Sequence, residues 1–253
     1  MVNPNSWRAC RRVLGTLPVF RREHHQRIAL ILDALNSDLM SAHKCYFGGG
    51  TAIALTCGEF RESKDIDFLV SNKDGYRELR ARVKREGPGC LFHNTKHMGL
   101  PQTFLTDQYG IRGWVEVLGV RIKCEIVSEG RITLDSPGQH SDLFPVEMLT
   151  FTDFVAEKLL ANSDRYLDTA TFSRDLIDLA FMKIPDLRSG EGFAKAIEAY
   201  GPSVVRDFDS AREKFLGDLT WIDRCAQALD IDTPRAVIVS LVARMRATSA
   251  PVA

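Results

Sequence analysis

Residues 46–70 read YFGGGTAIALTCGEFRESKDIDFLV. A strand-like apolar run ends in three glycines, a short apolar helix follows from Thr51, and after a polar loop a second strand opens with Asp65-Ile66-Asp67. Successive strand side chains alternate faces, so Asp65 and Asp67 share one face while Ile66, Phe68 and Val70 share the other. Two unit charges about 4 Å apart repel by roughly 4 kcal/mol at an effective dielectric near 20, a cost that a shared proton or a cation relieves. Mg²⁺ suits such a pair, because it takes hard oxygen ligands and is typically held by one or two carboxylates together with substrate phosphates. The phosphates in turn suit the backbone N–H groups of a glycine-rich turn at a helix start. Three glycines alone are a tight turn, and Asp-x-Asp alone is a solvated strand edge. Together they say more, because the residues between them suffice only for one short helix and a loop that returns the acids beside the glycines.

Upstream, Ser6 is placed to cap a short helix through Leu14, and Pro18 separates it from an amphipathic helix over residues 21–39, where Ile28, Ile31, Leu32 and Leu35 recur at core spacing. Downstream, residues 75–85 read as a helix carrying Arg77, Arg80, Arg82, Lys84 and Arg85, either a solvated face or a contact for a phosphate backbone. Residues 114–117 and 121–127 read as strands with Gly119 near the turn. On the second of these, Ile122, Cys124 and Ile126 face one way and Arg121, Lys123 and Glu125 the other. Glu125 is thus a candidate third carboxylate, with Glu116 as competitor; a charged strand face with cross-strand pairs is the alternative.

From Asp142 onward the pattern is helical. Lys158 lies four residues after Phe154 and seven after Phe151, on the apolar stripe rather than opposite it, with Asn162 and Arg165 following at four and seven. A snorkelling side chain would also account for that position. In the next helix Asp175 and Asp178 sit one turn apart beside Phe172, Leu179 and Met182, and carboxylates there require a facing lysine or arginine. Residues 190–247 offer helical packing, with Ser203 as a cap after Gly201-Pro202 and Val237, Ile238, Leu241, Val242 and Met245 as a core stripe.

With 253 residues and 45% apolar content the chain can bury a proper core, and we expect two lobes, residues 1–140 and 141–253. The formal net charge of zero argues neither for nor against a polyanion partner, so nucleic-acid contact would depend on local patches. Six scattered cysteines without C-x-x-C fit reduced thiols in a cytoplasmic protein. His93 and His97 lie in a loop-like stretch rather than on a helix that would pair them for a metal. No apolar run approaches the roughly 18–20 residues of a membrane span. The first 22 residues carry five arginines and no acid, and without an apolar core or cleavage signal they read as structure.

The order of glycines, helix, loop and D-x-D is similar to the nucleotidyltransferase fold of the DNA polymerase beta type. The finer pattern, FGGGTAIAL followed by RESKDIDF, resembles the AbiEii/AbiGii toxin family of that superfamily. EKLLANSDRY and RDLIDL resemble its lysine-bearing helix and the R/K-D-x-x-D-L segment after it, so the resemblance spans about residues 46–180. It implies an α/β (α+β) protein: a mixed-sheet nucleotidyltransferase lobe with N-terminal helices, and a helical C-terminal lobe. The implied activity is Mg²⁺- or Mn²⁺-dependent transfer of NMP from an NTP to an RNA or protein acceptor, in related members the 3′ end of tRNA, by a toxin with a cognate antitoxin. By the same resemblance Asp65 and Asp67, with Glu125, would hold metal. Gly49 and Gly50, with Thr51 or Ser63, would cradle the triphosphate and Arg165 would contact the nucleotide. Lys158 would neutralise developing charge, and Asp175 would orient it or touch the base, with Asp178 as the other helical acid. Two rival readings are an NTP-binding sensor without transfer and a phosphotransferase using the same cleft.

Overall fold

The computed structural model describes residues 20–96, 98–137, 143–184 and 190–245. The helix expected over residues 6–14 and His97 lie outside these ranges. The chain divides into two compact units, Met1–Glu59 with Ser63–Thr150, and Phe60–Glu62 with Phe151–Ala253.

The first unit is built on a mixed sheet. Strand β1 (Tyr46–Gly48) runs antiparallel to β2 (Ile66–Val70), and β2 runs parallel to β6 (Val120–Ser128). Strand β5 (Gly110–Val117) pairs antiparallel with β6 and on its other side with the short strands β3 (Met98–Gly99) and β4 (Leu105–Thr106). The β5–β6 hairpin turns through Leu118 and Gly119, both with positive φ (51° and 76°), the turn whose twist matches paired strands. One sheet face is apolar: Ile66, Phe68, Ile111, Val115, Ile122 and Ile126 are all buried. Ile31, Leu35 and Met40 share a cavity lining with Ile66, Phe68, Ile111 and Ile126, which places the N-terminal helices over this face. Phe47 adds a cluster with Phe68 and Phe144 at ring distances of 5.5 and 5.7 Å.

The single helix expected over residues 21–39 is two helices, α1 (Glu23–Ala34) and α2 (Ser37–Ala42). Leu35 leaves the helical region at ψ 148°, and the Asn36 side chain accepts the Leu39 N–H at 3.0 Å while its own N–H donates to Leu91 O at 2.8 Å. An asparagine that caps the next turn competes with helix continuation, and here it wins. Helix α3 (Gly49–Thr56) follows β1 without an intervening residue, and α4 (Lys73–Glu86) begins at an Asn72 cap.

In the second unit α5 (Phe151–Arg165) packs against α6 (Arg174–Phe181), α7 (Glu191–Tyr200) and α8 (Ser203–Leu216). It continues through α9 (Leu219–Ala228) and α10 (Arg235–Arg244). Gly192 on α7 lets α5 come close, since a Cβ there would lie 2.7 Å from Thr152 O. Phe172 stands before α6 rather than on its stripe: Phe172 and Ser173 are both left-handed, with Phe172 stacked on Trp221 and Trp221 Nε1 donating to Ser173 Oγ at 3.0 Å. Ser203 Oγ donates to Tyr200 O at 2.9 Å, so it closes α7 instead of capping α8. No described helix is long and apolar enough to cross a membrane, and no disulfide joins the cysteines among the described residues.

Candidate active site

Gly48 pairs with Asp67 across β1 and β2, so the chain reverses into α3 beside the aspartate. Gly49 has φ +68°, a conformation other residues adopt at a cost, and a Cβ on it would come 2.5 Å from Asp67 Oδ2. Gly49 and the second acid of D-x-D are therefore packed too closely for any side chain between them. Gly48 supplies no side-chain cap to α3, which leaves the first N–H groups of the helix oriented for an anion at Gly49 and Gly50, both half-buried.

Asp65 lies just before β2 and is exposed, whereas Asp67 is half-buried within the strand. Thr51 is buried; its Oγ1 hydrogen-bonds the Asp65 carbonyl and lies 2.7 Å from Ser63 Oγ. Thr51 and Ser63 thus fasten the loop that delivers Asp65. That loop is held from its other side by His25, which is fully buried. The Ser63 N–H can only donate, so His25 Nε2 accepts it at 3.1 Å, and Nδ1 carries the proton toward Glu59 Oε1 at 2.9 Å. Glu59, buried at a positive φ of 56°, also accepts the N–H groups of Arg21 and Arg22 at 2.7 and 3.1 Å. Burial lowers the His25 pKa against the pull of Glu59, which favours the neutral ring. Sequence reasoning passed over His25, although its place three residues before Ile28 on the buried stripe of α1 was the signal available.

Glu125 stands beside Asp67 in the parallel register of β2 and β6. Its carboxylate is paired on the same face: Arg112 Nε donates to Oε1 at 2.6 Å and Lys123 Nζ to Oε2 at 2.7 Å. Among the described residues no three His, Cys, Asp or Glu side chains come together as a metal-holding group. Asp65 and Asp67 fit a Mg²⁺ or Mn²⁺ ion that draws its remaining oxygens from a triphosphate, and Glu125, the expected third carboxylate, is here paired with Arg112 and Lys123. Glu116 is in register with Arg121 on the far side of β6. The Lys123 pKa is raised first by its bond to Glu125 and further by Asp65 and Asp67, so the ammonium stands among these three acids of the face.

In the second unit the two helical acids and their partners form one buried network. Lys158 Nζ lies 2.9 Å from Asp175 Oδ1 and 2.7 Å from Asp178 Oδ2. Arg61 forks onto Asp178 at 2.7 and 3.0 Å, and Arg165 onto Asp175 at 2.7 and 3.0 Å. Three cations against two carboxylates leave one positive charge in excess. Burial alone would raise the Asp175 carboxyl, but Lys158 and Arg165 hold it well below the usual carboxylate range. Lys158 is fully buried yet its pKa is raised, because Asp175 and Asp178 outweigh desolvation. Asp175 and Arg165 line a small pocket with Asn162, whose Nδ2 is a buried donor without a partner among the described residues. Asp178 pairs with Arg61 and Lys158, as Asp175 pairs with Lys158 and Arg165. Arg61 carries no signal in the sequence, since its place in a polar loop resembles that of any solvated arginine.

A family model described as nucleotidyl transferase AbiEii toxin, type IV toxin–antitoxin system, matches residues 30–231. Among solved structures, the chain is similar to JHP933 from Helicobacter pylori at 19% identity and TM-score 0.49, covering 89% of this chain and 92% of that one. It is also similar to MenT4, the nucleotidyltransferase toxin Rv2826c from Mycobacterium tuberculosis H37Rv, at 17% identity and TM-score 0.39, covering 89% and 83%. None of the curated proteins matches.

Proposed function

We propose that this chain, which belongs to the AbiEii family of nucleotidyl transferase toxins of type IV toxin–antitoxin systems, transfers NMP from an NTP to the 3′ end of an RNA, with tRNA as the acceptor suggested by the resemblance. Membership makes it a nucleotidyltransferase that uses an NTP and has a cognate antitoxin. The metal, the acceptor, the cytoplasmic setting and the residue roles are our reading.

The observation that carries this reading is the contact of Gly49 with Asp67. It puts the first N–H groups of a helix start against a carboxylate of the D-x-D pair, the two halves of a site for a metal-bound triphosphate. Asp65 and Asp67 would hold Mg²⁺ or Mn²⁺, which when bound neutralises phosphate charge and favours the ionised acceptor hydroxyl. The N–H groups of Gly49 and Gly50 bind phosphate oxygens. Thr51, Ser63 and His25 fix the Asp65 loop. The ribose hydroxyl of the acceptor forms a bond to the α-phosphorus while the bond to pyrophosphate breaks. The catalytic roles of Lys158 and Asp175 and the nucleotide contact of Arg165 come from the family resemblance, and the buried network supports them in that it keeps the lysine charged at neutral pH.

The test is a labelled-NTP screen against total RNA with wild type and Asp67→Ala. Metal-dependent labelling of RNA by wild type alone is expected. Labelling of protein only, or of nothing, would overturn the reading.

A further inference from the structure

The exposed face of the sheet carries a row that the reaction described above leaves without a role. By extension of the β2–β6 register, Asp65 stands beside Lys123, and Lys123 pairs in register with Trp114 on β5. Trp114 is two strands from the acids, roughly 10 Å at about 4.8 Å per strand. It is 46% exposed. Arg121 stands opposite Glu116 in the register, yet its guanidinium lies over the Trp114 ring, 5.6 Å from the centroid. Acid, lysine, tryptophan and arginine therefore share one open face, opposite the face covered by α1 and α2.

A large aromatic ring left half in water between two cations is the arrangement that stacks a nucleobase and meets its phosphates, and it needs no base-specific geometry. We infer that Lys123, Trp114 and Arg121 form the acceptor platform, receiving the single-stranded 3′ end of an RNA whose terminal hydroxyl reaches Asp65 and Asp67. The inference deepens the proposed reaction and rests on it for the identity of the acceptor.

Charge adds a condition. The face carries Arg112, Lys123 and Arg121 against Asp65, Asp67, Glu116 and Glu125, one more acid than base. A polyanion is repelled until the Asp65/Asp67 pair is neutralised, so RNA binding should require a divalent cation, and Asp67→Asn should relax that requirement.

The experiment measures binding, separately from transfer. A short, single-stranded RNA oligonucleotide with a free 3′-hydroxyl is titrated into the full chain with and without Mg²⁺, following anisotropy of a 5′ label and intrinsic tryptophan fluorescence. Wild type should show Mg²⁺-dependent binding and quenching, and Trp114→Phe should bind with the Trp114 component of the quenching lost. Trp114→Ala should weaken binding roughly 5- to 100-fold, the range for one lost base–aromatic stack, and Arg121→Ala should also weaken it. Trp114→Ala should keep the wild-type rise in Tm with NTPs and Mg²⁺, which shows that it is folded. Absence of RNA binding by wild type, or equal affinity in wild type and Trp114→Ala, would overturn the platform. So would loss in Trp114→Ala of labelling of a protein acceptor with RNA affinity unchanged, which would assign the face to a protein. RNA bound with Trp114 quenching but never labelled would uphold the platform and sink the proposed reaction instead.

Discussion

Gly49 is packed so closely on Asp67 that an added Cβ would lie 2.5 Å from Oδ2 and 2.9 Å from the aspartate Cβ. The contact ties the start of α3 to the D-x-D strand across the β1–β2 pairing, and it makes the glycine part of the acid's surroundings rather than a simple hinge.

Gly49→Ala should therefore destabilise the protein by about 1–3 kcal/mol through its left-handed φ, and displace Asp67 as well. Gly58→Ala is the control, because Gly58 has φ +81° with nothing within 4 Å of a Cβ. Chemical denaturation of both variants separates strain from contact. We expect the larger loss, together with weakened NTP binding by titration calorimetry, at Gly49. Equal losses and normal NTP affinity would remove Gly49 from the site.

Mg²⁺ or Mn²⁺ should raise the Tm of wild type and leave Asp67→Ala nearly unmoved, since only the native acid pair gains from the ion. Glu125→Gln should lower stability through Arg112 and Lys123, yet keep the metal-induced shift. A shift lost in Glu125→Gln would identify Glu125 as a third ligand.

Asp67→Asn should reduce nucleotide transfer by orders of magnitude while retaining much of the NTP affinity, because the N–H groups at Gly49 and Gly50 remain in place. Turnover and affinity measured on the same preparation decide this. An Asn variant with wild-type turnover would show that metal chemistry at this pair is not used.

The buried network of the helical unit should be sensitive to removal of a single partner. Asp178→Asn leaves Arg61 and Lys158 short of an anion in a site with the aspartate side chain 0% exposed, and should cost about 3–5 kcal/mol. Asp175, whose folded pKa is lowered, contributes stability that is present above the ordinary carboxylate value near 4 and is lost as pH falls from about 5. Urea midpoints from pH 7 downward should fall along that limb in wild type and less steeply in Asp175→Asn.

His25 titrates in the opposite chemical sense to a salt-bridged histidine. Its folded pKa is lowered, so the neutral ring contributes stability above the unfolded value near 6.5 that is lost as pH falls through and below it. Protonation at Nε2 would also forfeit the Ser63 N–H and release the Asp65 loop. Arg22, His24 and Glu59 are the charged neighbours that act on the ring. His25→Gln keeps an acceptor for Ser63 without titrating, and should retain activity at neutral pH while flattening its acid limb; His25→Leu should lose activity throughout. Identical pH profiles for wild type and His25→Gln would exclude this control of the loop.

Sequence alone determined the features that depend on local rules. The glycine turn, the D-x-D strand, the alternation that puts Lys123 and Glu125 on one face, and the buried stripe that holds Lys158 all follow from periods of 2 and 3.6 residues. Motif order added the family. Local rules also misled where a side chain found a backbone partner: Asn36 split one expected helix into two, and Ser203 closed the helix before it. What only the tertiary structure decided is which charges neutralise one another. Glu125 is drawn to Arg112 by a strand pairing that brings residues 13 positions apart together. Arg61 reaches Asp178 across 117 residues, and Glu59 finds His25 across 34. Such partners are invisible to spacing, because the strength of an ion pair or a buried hydrogen bond depends on distance and burial in the fold and not on separation along the chain.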